Sequence, residues 1–132
     1  MNYWLVKFAP FRVSWQEILH NGSFEIYSVR NHQARNNLKA MKLNDVALFY
    51  HSQKEKRIMG SMKIIEEAHQ DKTTSDPQWL SVTFEPIESF TKPISLKQII
   101  DCSSLQNIGL IKQPRLAVME ITPKEYKIIL TL

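Results

Sequence analysis

Val46 to Ser52 reads Val-Ala-Leu-Phe-Tyr-His-Ser and is apolar on both faces. A strand of that kind is stable only when buried. The segment just before it is a helix, Asn31 to Met41, with Ala34, Leu38 and Met41 on one face at i, i+4 and i+7. Arg35, Lys39 and Lys42 form the neighbouring stripe, with Asn31 on that basic side. The helix can therefore bury one side and present the other. Between Ile26 and Asn44 there is no acidic residue, while Arg30, Arg35, Lys39 and Lys42 all fall there. Those cations equal the formal net charge of the whole chain, +4, so elsewhere the charges cancel. A positive surface beside Phe49, Tyr50 and His51 is suited to holding a phosphate backbone and stacking on a base. The same pattern also fits a solvated amphipathic helix on an ordinary core strand.

The remaining elements are short. Ser14-Trp15-Gln16-Glu17 is a capping box, closed after Asn21 by Gly22. Ser95-Leu96-Lys97-Gln98 is a second box, followed by the stripe Leu96, Ile99 and Ile100. Thr122-Pro123-Lys124-Glu125 is a third, with proline at the first helical position and Tyr126, Ile129 and Leu130 as the expected buried stripe. Strands are expected at Tyr3–Lys7, Val46–Ser52, Ile58–Ile65, Leu80–Glu85 and Leu116–Ile121. Asp71 to Gln78 is polar, contains Pro77 and reads as a loop. About five strands mixed with about four helices predict an α+β fold whose sheet is curled or closed into a barrel. At 132 residues and 43% hydrophobic content, the chain fits a single domain, 1–132, with a core of its own.

Much chemistry is excluded by what is missing. Only Gly22, Gly60 and Gly109 are glycines, so there is no glycine-rich phosphate loop. His20, His32, His51 and His69 have no His or Cys partner at ligand spacing, and no metal or other cofactor is expected. Glu66 and Glu67 are adjacent, so on a strand they face opposite ways and make no carboxylate pair. No serine sits in a nucleophile elbow. The lone Cys102 cannot form an internal disulfide, which points to a reducing, cytoplasmic setting. No signal peptide and no membrane span are expected. The residues predict a binding protein rather than an enzyme, and the pI of about 9.2 favours an anionic partner.

Longer motifs carry a resemblance. Tyr3-Trp4-Leu5-Val6-Lys7 with Pro10, Ser14-Trp15, Val29-Arg30-Asn31-His32-Gln33-Ala34-Arg35-Asn36, and Met41-Lys42 through Asp45 to Leu48-Phe49-Tyr50-His51-Ser52 are similar to the EVE domain. The similarity continues through Gly60, Pro77 and Trp79 to Gln113, Arg115-Leu116 and Val118-Met119. EVE domains belong to the PUA-like superfamily. The resemblance implies a curled five- or six-stranded β-barrel flanked by short helices. It also implies a pocket for a flipped base, a modified cytosine in DNA being favoured and RNA the other candidate. On this reading Trp15 and Tyr50 are stacking walls, and Asn31 and His51 hydrogen-bond at the pocket rim. Lys7, Arg30, Arg35 and Lys39 hold flanking phosphates, with Arg115 a further phosphate or scaffold residue. An RNA-binding or RNA-modification accessory module and a PUA-like nuclease are the alternatives. The chain departs from the family where Phe8-Ala9-Pro10 replaces the usual Ser-Glu-Pro, which removes a carboxylate able to accept from a base amino group. Asn44 stands where the family has glycine and tolerates the same left-handed turn.

Overall fold

The strand that is apolar on both faces becomes β3 (Val46–His51), and Ala47 to His51 are all buried. In the computed structural model, which describes residues 1–132, it lies between a parallel and an antiparallel neighbour. The parallel one is β1 (Tyr3–Phe8) and the antiparallel one β4 (Arg57–Gln70). β5 (Leu80–Ser95) pairs β4, β2 (Phe24–Glu25) pairs β5, and β6 (Val118–Ile121) pairs β1. The result is a six-stranded mixed sheet in the order β2-β5-β4-β3-β1-β6. Its edges β2 and β6 do not pair, so the α+β sheet is curled without closing. The curl has a local cause: the β4–β5 register slips between Ile58/Gly60, Ser61/Met62, Ile64/Glu66 and Glu66/His69. Such bulges bend a strand and steepen its twist.

Five helices flank the sheet: α1 (Trp15–Asn21), α2 (His32–Ala40), α3 (Leu96–Ile100), α4 (Gly109–Lys112) and α5 (Pro123–Ile129). All three expected capping boxes form, at Ser14, Ser95 and Thr122. Gly22 ends α1 at φ 79° and Asn44 turns at φ 71°, both left-handed. Three expectations need correcting. β4 and β5 are far longer than their alternating segments, 14 and 16 residues, because bulges break the period without breaking the pairing. β2 and α4 are too short to leave a periodic signal. Ile100 and Leu130 are 49% and 45% exposed: helices this short bury Ile99 and Ile129 and turn the next residue outward.

Asp45 joins the parallel strands β1 and β3. Its carboxylate accepts from the Asn2 amide (3.1 Å), the Trp4 indole N–H (3.1 Å) and the Lys42 amide (3.0 Å). These bonds set the start of β1 against the start of β3, Tyr3 beside Val46, and so bring Lys7 level with Tyr50 and Phe8 level with His51. One face of the sheet carries an aromatic cluster in which Phe24 packs on Phe8, Phe49 and Phe84, and Trp15 stacks on Phe49 at 5.7 Å. Gly60 leaves the space for that indole. A Cβ there would meet Trp15 Cζ2 at 2.4 Å and the Glu88 carbonyl oxygen at 2.3 Å, and the latter is backbone. Gly60→Ala is therefore expected to cost about 1–3 kcal/mol through overpacking. Urea unfolding followed by tryptophan fluorescence would show the lowered midpoint.

Candidate nucleic-acid interface

Side chains alternate along β3, so Tyr50 leaves the sheet on the face opposite Phe49 and His51. Lys7, level with Tyr50, shares its side, with the ammonium 5.9 Å from the Tyr50 ring centroid and donating to the Pro114 carbonyl. Around this pair runs a trough. One end of it, ≈320 Å³, is lined by Lys7, Tyr50, Ser52, Gln53, Lys56, Leu96, Leu110 and Pro114. A neighbouring concavity of ≈430 Å³ shares Lys7, Ser52, Gln53 and Pro114 and adds Phe8, Ala9, Phe11, Arg12, Arg115 and Ala117. A third, ≈310 Å³, shares Pro114 and Arg115 and reaches Asn31 and Gln33 at the start of α2. Lys7, Arg12, Lys56 and Arg115 line this surface, and no carboxylate does. Burial pushes the Lys7 ammonium below its ordinary value and the Tyr50 phenol up to about 12. Tyr50 thus stays a neutral hydroxyl.

The other face is closed. Trp15 is 1% exposed, and its indole N–H donates to Ser89 Oγ at 3.0 Å. Its amide N–H donates to His51 Nε2 at 2.9 Å. Nε2 is then an acceptor, so His51 carries its hydrogen on Nδ1 and donates to Glu55. That bond holds the Glu55 carboxyl below its ordinary value. Trp15 and Tyr50 therefore lie on opposite faces and are not brought together as two walls of one pocket. His51, 3% exposed with both ring nitrogens bonded, braces the turn between β1 and α1 from beneath.

The basic helix is turned another way as well. Asn31 caps α2 by accepting from the Ala34 amide (2.9 Å) and also lines the trough. Arg30 reaches instead to Asp71 (2.9 Å) and Thr73 Oγ1 (3.2 Å), with its guanidinium 5.6 Å from the Trp79 ring centroid. Arg35 donates to the Gln78 carbonyl (3.1 Å) and to Asn36 (2.9 Å). Lys39 shares the Arg35 side, whereas Gln33 and Asn37 lie nearly opposite it, Asn37 donating to the Val118 carbonyl at 2.7 Å. The body of α2 separates the stripe from the trough. Of the expected phosphate residues, Lys7 and Arg115 line the trough, while Arg30, Arg35 and Lys39 do not. No local sequence pattern marks Phe11, Arg12, Gln53 and Lys56. They are isolated residues from two connections, and only their convergence marks them.

One group has metal-ligand proximity: Glu25, Glu66 and His69 offer atoms within 4.8 Å of one another. His69 bonds Glu25 at 2.7 Å through Nε2 and the Glu67 carbonyl at 2.9 Å through Nδ1. Burial by itself would lower the ring, but the Glu67 carbonyl and the Glu25 and Glu66 carboxylates raise it above its ordinary value. Both ring nitrogens are thus engaged by oxygens of the protein, and Lys72 lies 3.6 Å from Glu25, a cation already beside the group.

Comparison with known proteins places this geometry. The EVE domain family model matches residues 2–132. Mouse thymocyte nuclear protein 1 is 32% identical over an alignment covering 99% of this chain and 73% of that protein. A crystal structure from Agrobacterium tumefaciens superposes with a TM-score of 0.95 at 35% identity, covering 98% of this chain and 90% of the other. Human THYN1, solved in complex with 5-methylcytosine-containing DNA, superposes with a TM-score of 0.92 at 28% identity, covering 99% of this chain and 96% of the crystallised one. This chain spans 56% of the full-length human protein. No helix is long and apolar enough to cross a membrane.

Asp71, in the loop after β4, anchors Arg30. Burial alone would raise its carboxyl; the Thr73 amide, the Arg30 guanidinium, the Thr73 hydroxyl and the Ser28 amide together bring it down to about 2. A folded value below the ordinary 3.8 contributes stability above that pH, lost as pH falls towards 2. Arg30 is 39% exposed and solvent-screened, so the expected cost of Asp71→Asn at neutral pH is about 1–2 kcal/mol. The gap between parent and variant in urea titrations should shrink on acidification across that window and stay constant above it.

Proposed function

The chain belongs to the EVE domain family, and on that premise we propose that it is a non-enzymatic module that captures a modified cytosine swung out of DNA. The observation carrying this reading is a trough with four cations and no carboxylate, ending where the half-buried Lys7 meets the buried Tyr50. Phosphates are attracted to such a surface whatever the sequence. The complex of the human relative with 5-methylcytosine DNA supports both the partner and the base.

In the proposed mechanism Arg115, Lys56 and Arg12 hold phosphates along the trough. Tyr50 forms its floor, and Ser52 and Gln53 supply neutral donors and acceptors to the base edge. Asn31 and Gln33, at the far end beside Arg115, present amides to a neighbouring nucleotide. Trp15 and His51 act indirectly, by fixing the turn that carries Arg12. Extrusion costs a few kcal/mol of unstacking, which is smallest for a base already weakly held. With Ala9 in place of the family's glutamate, the base amino group meets an amide or a hydroxyl rather than a charge. Discrimination then rests on shape and neutral hydrogen bonds.

Fluorescence anisotropy with a 5-methylcytosine duplex, the unmodified duplex and an RNA of the same sequence tests this reading. The methylated duplex should bind most tightly. Arg115→Ala and Lys56→Ala should weaken both duplexes alike, each reducing the slope of log affinity against log salt by about 0.9. Arg35→Ala and Lys39→Ala should leave affinity within about twofold of the parent, the scale of a weak exposed ion contact. Equal binding to all three nucleic acids, with no effect of Arg115→Ala, would overturn the proposal.

A further inference from the structure

Phe11 is 81% exposed, the most exposed large hydrophobic side chain of the molecule. Leaving a phenylalanine in water forgoes the stabilisation that burial would supply, and here the turn beneath it is tightly built. The Arg12 and Val13 amides both donate to the Ala9 carbonyl, at 2.9 and 3.3 Å. The Arg12 guanidinium lies 4.1 Å from the Phe8 ring centroid and 5.1 Å from that of Tyr27, and it donates to the Tyr27 carbonyl. Phe8 is 3% exposed and packs edge-on against Phe24 and Tyr27. Below, the His51–Trp15 bond pins the first residue of α1. The ring is therefore held out by a scaffold on both sides of the turn. It stands on the same concave wall as Lys7, Gln53 and Arg115.

From this placement we infer that Phe11 is a wedge, entering the DNA base stack at the gap that the extruded base leaves. The inference rests on the base-capture reading above and adds the residue that keeps the duplex open. An apolar side chain pushed between base steps offsets part of the unstacking cost. It does so beside phosphates that Arg12 and Arg115 already hold. The ring is needed only where a duplex must be kept open; a single strand has no stack to fill. Phe8, the other aromatic of the segment, is committed to the core and cannot substitute.

The test uses the full chain and two probes: a duplex with one 5-methylcytosine, and the same modified strand alone. Phe11→Ala should weaken duplex binding about tenfold, within the range for loss of one stacked contact, and leave single-strand binding unchanged. Phe11→Leu, which keeps apolar bulk, should stay within about threefold of the parent on the duplex. With 2-aminopurine opposite the modified base, the parent should quench the orphan base by stacking on it, and Phe11→Ala should leave it bright. Parental affinity and unchanged fluorescence in Phe11→Ala would overturn the wedge while leaving base capture standing. Equal losses on duplex and single strand would make Phe11 a contact to the captured base and would also overturn the wedge. Failure of the parent to bind either probe would remove base capture, and the wedge with it.

Discussion

A single carboxylate sets the register on which the rest of this molecule depends. Asp45 collects the Asn2 amide, the Trp4 indole and the Lys42 amide at the mouth of the parallel β1–β3 pair. Parallel strands have no hairpin to align them, so some other contact must do it. A slip by one residue would send every side chain of β1 to the wrong face. Lys7 would then leave Tyr50 and enter the aromatic cluster, and Phe8 would leave the core that supports Arg12. Being 4% exposed, the Asp45 carboxylate is costly to leave unpaired and so tolerates few alternatives.

The sheet divides labour between its faces. On one, Trp15, Phe49, Phe24 and Phe84 form a dry core that accounts for His51 as well. On the other, the ends of β1 and β3 open into the trough. The family's Ser-Glu pair is here Phe8 and Ala9, 3% and 7% exposed. Both side chains pack inward, and Phe8 lies under the Arg12 guanidinium at 4.1 Å.

Charge at the trough is gathered rather than inherited from one element. Lys7 comes from β1, Arg12 from the turn after it, Lys56 from the connection after β3, and Arg115 from the segment before β6. The denser basic run from Arg30 through α2 points elsewhere. Its Arg30 and Arg35 hold the 71–79 loop in place through Asp71 and the Gln78 carbonyl. A count of charges along the chain therefore overstates the role of the helix and understates that of the loops.

Local patterns settled a great deal. The doubly apolar run required a buried central strand, the three boxes marked the helix starts at Ser14, Ser95 and Thr122, and Asn44 marked a left-handed turn. Each of these depends on residues within a few positions of one another, so chain order alone carries them. The family and its fold were legible for the same reason, in long runs of matching residues. The trough was not. Tyr50 faces away from Trp15 because of strand alternation combined with α1 packing on the His51 side. Arg30 is drawn to an aspartate 41 residues further along the chain. Lys7 meets Pro114 across 107 residues. Contacts at those separations are set by strand order and register, and only the folded sheet decides which cations share a surface and which are neutralised.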